Sequence, residues 1–227
     1  MSCRLVLFFA IASFSCFSPV AHAQVSLSFD QLGISDSILI DQAYGDRVVT
    51  SPDANGHAYD IFGLSTTPNV EASYSALDPN LWTTGYGDLT NVYYDETDGS
   101  TEFSLTLDAD AGFEVGLLGF DVAAFDGIDI SVPEIEIRDG NGNVLFSQTT
   151  ALISSSTHTS FDFTGGIFAN SLTIEIDLTG LGGASDNIGI DNVSFVQAAV
   201  PEPSSLLVLG LAVTGLTCKR RRCVLGT

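Results

Sequence analysis

The sequence predicts an all-β fold for residues 24–197, an antiparallel β-sandwich of jelly-roll type, and three observations predict it. Short runs of period-2 alternation recur along this stretch: Val25, Leu27 and Phe29; Phe103, Leu105 and Leu107; Ile135 and Ile137; Phe161 and Phe163; Leu172, Ile174, Ile176 and Leu178. Gly, Asp, Asn and Pro punctuate the runs, and no long stretch repeats every 3.6 residues. Nine to eleven strands of this kind, each with one apolar face, need a second sheet to cover them.

Each element follows in order. Asp139-Gly140-Asn141-Gly142-Asn143 joins two alternating runs as a hairpin turn. It superficially resembles an EF-hand loop, but its sixth position is Val144 instead of Gly and its twelfth is Thr150 instead of Glu. Residues 51–101 are less regular and rich in Tyr, Thr, Asn and Gly, which predicts long loops at one end or over one face. In Ile188-Gly189-Ile190-Asp191-Asn192-Val193-Ser194-Phe195 the apolar positions move from even to odd numbers. Keeping both halves inward requires one extra residue near Asp191 and Asn192, a β-bulge. A second slip falls between Leu117 and Leu118, since Val115 and Leu117 are odd whereas Phe120 and Val122 are even.

Charge limits the partners. Residues 24–200 hold 27 of the chain's 28 acidic residues against two arginines, Arg47 and Arg138, hence a formal charge of −25. Such a surface repels phosphate backbones, so nucleic acid is excluded as an expected partner, whereas cations, Ca²⁺ above all, are attracted. Solubility alone also accounts for the charge. Cys3 and Cys16 precede the domain and Cys218 and Cys223 follow it, so it has no thiol nucleophile and no cysteine zinc site.

The two ends are addresses. Residues 1–23 read as a signal peptide for the secretion translocon: Arg4 supplies the positive region, Leu5 to Phe17 is apolar, and Ala21-His22-Ala23 is a small-x-small cleavage site. At the other end, Pro201-Glu202-Pro203 precedes an apolar run and a basic cluster, Lys219, Arg220, Arg221 and Arg222. Residues 204–218 are expected to form a hydrophobic helix; from Leu206 to Cys218 it would span ~20 Å, short against a ~30 Å hydrocarbon core. The basic cluster stays cytoplasmic, which holds the domain on the outer side with the helix in the membrane.

Residues 198–227, with this motif, helix and basic end in order, resemble the PEP-CTERM sorting signal. The resemblance implies an exported bacterial protein that an exosortase-type enzyme cleaves near Pro201-Glu202-Pro203 and hands to the cell surface or an extracellular matrix. A plain stop-transfer anchor is the alternative. Within the body, Tyr44-Gly45-Asp46-Arg47-Val48, Thr67-Pro68-Asn69-Val70, Thr84-Gly85-Tyr86-Gly87-Asp88-Leu89 and Ser185 to Asn192 resemble segments of exported bacterial proteins with this tail. The closing strand is similar to the last strand of galactose-binding-like carbohydrate modules. That likeness implies a structural Ca²⁺ held by an Asp of the last strand and an acid near the first, here Asp191 and Asp30, with Asp46 a weaker third. Capping at the bulge is the plainer role for Asp191.

Sugar binding needs aromatic faces for pyranose C–H surfaces and planar polar groups for hydroxyls. Trp82, the single tryptophan, and Tyr86 are the candidates, in a cluster with Tyr74, Tyr93, Tyr94, Asn91 and Asp88. Packing under a loop is the competing role for these rings. Arg47 and Arg138 read as ion-pair partners, or as a clamp for a carboxylated sugar. No catalytic residue is identifiable: His57 and His158 lie far apart, and acids are too abundant for any pair to stand out. The expectation is a non-catalytic surface or matrix module for polysaccharide. The alternatives are a structural matrix component acting through its acidic face and divalent cations, and a glycan-directed hydrolase.

Overall fold

In this computed structural model the described residues are 24–29, 36–62 and 66–200. They form two antiparallel sheets packed face to face, the jelly-roll-type sandwich that the alternation predicts. The thirteen strands among them are β1 (Gln24–Leu27), β2 (Ile38–Leu39), β3 (Asp60–Phe62), β4 (Val70–Ser75), β5 (Pro79–Trp82), β6 (Val92–Asp95), β7 (Glu102–Ala109), β8 (Phe113–Ala124), β9 (Ile130–Asp139), β10 (Val144–Ile153), β11 (Thr159–Ala169), β12 (Ser171–Asp177) and β13 (Ile188–Ala199). A short 3₁₀ helix, Gly182–Asn187, leads into β13.

The smaller sheet runs β10-β9-β12-β7-β4. Its register stacks apolar residues in rows: Ile174 lies opposite both Leu105 and Ile137, and Ile176 opposite Phe103 and Ile135. All six are buried, as the period-2 pattern requires. The larger sheet runs β11-β8-β13-β6-β5-β2. β13 is its axis, pairing with β8 on one side and with β6 and β1 on the other. First and last strands are thus neighbours, with Leu27 opposite Val193.

Both parity slips are bulges. The β13–β8 register shifts between Asp191 and Ser194, where Asn192 takes φ +53°, and Ile188, Ile190, Val193 and Phe195 all stay buried. On β8, Leu118 is passed over by its partners on both sides, so Val115, Leu117, Phe120 and Val122 all face the core. The 139–143 turn closes the β9–β10 hairpin: the Asp139 carboxylate accepts bonds from the Asn141 and Asn143 amides and from the Asn143 side chain. Those bonds hold its carboxyl below the usual range.

Residues 51–101 depart from expectation. Four strands, β3 to β6, run through this stretch, and the expected loops lie between them. β4 was hard to read because Ala72 and Tyr74 fill its inward positions beside Val70; all three are buried while Glu71, Ser73 and Ser75 face out. β5 and β6 have only four residues each, too few for a clear period.

Candidate functional site

The outer face of the larger sheet carries a second apolar cluster, separate from the main core. β6 shows why: Tyr93 enters the main core, whereas Val92 and Tyr94 point to the opposite side with Ala123 of β8. A strand apolar on both faces signals cover on both faces. The cover is the 83–91 loop, which folds back so that Tyr86 bridges Leu89 and Phe125. Tyr86 is 2% exposed, and its hydroxyl donates to the Asp186 carbonyl.

Two glycines allow this return. Gly87 has φ +54°, and a Cβ there would stand 2.2 Å from the Thr157 carbonyl oxygen. Gly189 on β13 lies beneath the cluster, where a Cβ would meet Val92 Cγ2 at 2.4 Å and Tyr86 Cδ1 at 3.0 Å. The loop is latched from outside by His158, whose Nδ1 lies 2.9 Å from Asp88 Oδ1. That hydrogen bond, with the Asp121 charge beyond it, raises the His158 pKa above its ordinary value.

Between loop and sheet lies a cavity of about 120 Å³ lined by Trp82, Tyr86, Tyr94, Glu96, Phe125, Asp186 and Asn187. Its four rings form a closed circuit. Trp82 meets Tyr94 at 6.1 Å and Phe125 at 5.7 Å; Tyr86 meets the same two at 5.9 and 5.1 Å. Among the described residues four buried side-chain polar atoms lack a hydrogen-bond partner, and three belong to this lining: the Tyr94 hydroxyl, Glu96 Oε2 and Asp186 Oδ1. Buried polar atoms are nearly always paired, and here three that lack a protein partner face one cavity. Burial first, then the charges of Asp98 and Glu96, hold the Asp186 carboxyl above the usual carboxylate range. Burial, with Asp186 and Glu96 nearby, raises the Tyr86 phenol. Ionised carboxylates only accept, so the lining sets hydrogen-bond acceptors beside apolar ring faces.

Two of the sequence's candidates, Trp82 and Tyr86, therefore meet in one cavity with Tyr94. Tyr74 and Tyr93 do not join them. Both are core residues, their hydroxyls bonded to the carbonyls of Tyr44 and Ser104. Asp88 serves the latch. Phe125, Glu96, Asp186 and Asn187 escaped the sequence reading. Phe125 follows the apolar pair Ala123-Ala124, a two-faced run like that of β6, and was the one legible hint.

The calcium candidates are less complete. Asp191 is 2% exposed and its Oδ1 accepts the Asn192 amide at the bulge. Asp46 takes the Ala72 amide and is raised chiefly by burial. Asp30 lies outside the described residues. Among the described residues no group of three or more His, Cys, Asp and Glu side chains is placed to hold a metal. Both arginines form ion pairs: Arg47 with Glu71 and Asp110, Arg138 with Glu136 and Glu175.

The signal-peptide residues Ala21 and Ala23, the 204–218 helix and the basic cluster also lie outside the described residues. Among the described residues no helix is long and apolar enough to cross a membrane. Residues 199–222 match the PEP-CTERM protein-sorting motif, which contains Pro201, Glu202 and Pro203. The motif marks an exported surface protein with a C-terminal anchor region, processed by an exosortase-type enzyme.

No curated protein matches the chain. Among solved structures it is similar to the family 32 CBM from C. perfringens NanJ in complex with galactose, at 14% identity and a TM-score of 0.33, covering 57% of this chain and 93% of that one. It is also similar to a Ruminococcus gnavus GH29 fucosidase in complex with fucose (12% identity, TM-score 0.31), covering 58% of this chain and 26% of that one. Discoidin II from Dictyostelium discoideum is similar at 9% identity and a TM-score of 0.28, with 80% and 55% covered. The fold described above rests on strand order and register, not on these likenesses.

Proposed function

We propose that the exported domain is a non-catalytic glycan-binding module of the cell surface or extracellular matrix, anchored at its C-terminus before or after processing. The observation that carries this reading is the aromatic cavity with its three unpartnered polar atoms. Trp82 and Phe125, half-buried, offer ring surface for a pyranose, and Glu96, Asp186 and Asn187 are the planar groups that fix hydroxyls. The test reads Trp82 emission, which reports from the cavity alone because the chain has one tryptophan. An oligosaccharide panel titrated into the full chain should shift that emission, and Tyr86→Ala should weaken the response about tenfold or more. A panel that leaves the emission unmoved sinks the reading.

A second reading has its own observation. On the outer face of the smaller sheet Glu136 lies directly opposite Glu175, and Asp177 opposite both Glu134 and Glu102, with Arg138 as the cation among them. A structural matrix role through divalent-cation bridging would use this face. Divalent-dependent self-association without sugar binding would favour it. Glucan or other polysaccharide turnover would instead support a hydrolase, for which Glu96 and Asp186 are the carboxylates at hand.

The proposal includes a structural Ca²⁺ between Asp191 and Asp30. The buried Asp191 carboxylate, one strand away from β1, suits such a role. At 100-fold excess over its dissociation constant, bound Ca²⁺ adds about 2.7 kcal/mol to stability. Coincident melts in Ca²⁺ and in EDTA remove the ion from the reading.

A further inference from the structure

The basic side chains of residues 24–200 are committed away from the aromatic cavity. Arg47 holds Glu71 and Asp110, and Arg138 holds Glu136 and Glu175. His57 stands between Asp41 and Asp53, and His158 between Asp88 and Asp121. None of the four lines the cavity, so Glu96 and Asp186 share its wall without a positive partner among the described residues. Carboxylates withdrawn from water are costly unless a counter-charge is supplied. Aromatic rings add to the demand, because their faces carry negative potential and attract a cation set among them.

The Tyr94 hydroxyl narrows the ligand further. Tyr94 is 2% exposed, lines the cavity and has no partner for its O–H. A phenol O–H donates, and therefore calls for an acceptor on the ligand. A simple alkylammonium has none. A sugar carrying an amino group has both: an ammonium for the two carboxylates, and hydroxyl and ring oxygens for the phenol.

We propose that the cavity selects an amino sugar with a free ammonium, as found in a deacetylated polysaccharide. The ammonium meets Glu96 and Asp186, and the sugar's C–H face lies on Trp82. This assignment rests on the glycan-binding reading above and names its substrate class.

The test titrates the full chain, reading Trp82 emission, with oligosaccharides of glucosamine, glucose and N-acetylglucosamine matched in length and linkage, and with tetramethylammonium chloride. The glucosamine oligomer should bind at least about tenfold tighter than the glucose oligomer, which corresponds to ~1.4 kcal/mol. Glu96→Gln, checked for an unchanged melting temperature, should reduce that preference about fivefold or more. Asp186→Asn repeats the measurement on the other carboxylate should the first variant fold poorly. Glucose or N-acetylglucosamine binding as tightly as glucosamine overturns the cation preference but leaves the glycan module standing. Tetramethylammonium binding as tightly overturns the sugar. Silence from every saccharide removes both readings together.

Discussion

Tyr94→Phe should make the free protein more stable, the reverse of what losing a buried tyrosine hydroxyl usually does. The ring is 2% exposed and packs against Trp82 and Tyr86, contacts that Phe keeps. The hydroxyl is buried without a partner. A buried polar group with no hydrogen bond costs about 1–3 kcal/mol, so removing it should return that amount. For a domain of this size each kcal/mol moves the melting temperature by ~2–4 °C, which places the expected rise at roughly 2–12 °C. The same variant should bind saccharide about two- to tenfold more weakly, the worth of one hydrogen bond. Calorimetric melting of the two proteins, followed by titration, checks both halves. A variant destabilised by ~1 kcal/mol or more would mean the hydroxyl already has a partner, and the argument from orphaned atoms would fail with it.

Gly189→Ala should destabilise by about 1–3 kcal/mol through overpacking, since its Cβ meets Val92 and Tyr86 below contact distance, and Trp82 emission should change without ligand. The His158–Asp88 latch should hold best between two limits. The stabilisation from His158 is full below its unfolded value of 6.5 and lost as pH rises through its higher folded value, while that from Asp88, lowered chiefly by the His158 hydrogen bond, is lost as pH falls through a value under 3.8. Amide-exchange protection factors of residues 84–90, corrected for the intrinsic pH dependence of exchange, should fall at both limits, and His158→Gln should abolish the alkaline limb; both groups are partly exposed, so the effect is about a few tenths of a kcal/mol. Arg138→Met should cost about 1–2 kcal/mol at neutral pH by leaving the nearly buried Glu136 without its cation. That loss should shrink on acidification: burial already raises Glu175, Arg138 opposes the rise, and a carboxyl with a raised folded value contributes stability only toward low pH. Urea denaturation at pH 7 and at pH 5 separates the two cases.

Local periodicity by itself determined much of this protein. Alternation at Phe103 to Leu107 and Leu172 to Leu178 specifies one buried face per strand, and strands with one apolar face must pair as sheets. Parity slips at 117–118 and 190–193 placed both bulges, because a side-chain period of two turns one extra residue into a visible change of sign. The address at Pro201-Glu202-Pro203 is linear and was legible for the same reason: it is read as an extended stretch of sequence, matching at 199–222. The cavity was different. Trp82 and Tyr86 were visible as aromatic residues in an irregular stretch, but equally visible Tyr74 and Tyr93 went into the core. Glu96 and Asp186 are 90 positions apart and indistinguishable in sequence from two dozen other acids. Only the pairing of β6 with β13, which sets Tyr94 against Gly189, brings the 3₁₀ turn before β13 to the end of β6 and puts those two carboxylates on one wall. Which polar atoms are left without partners depends on the position of every neighbour at once, and no local pattern records that.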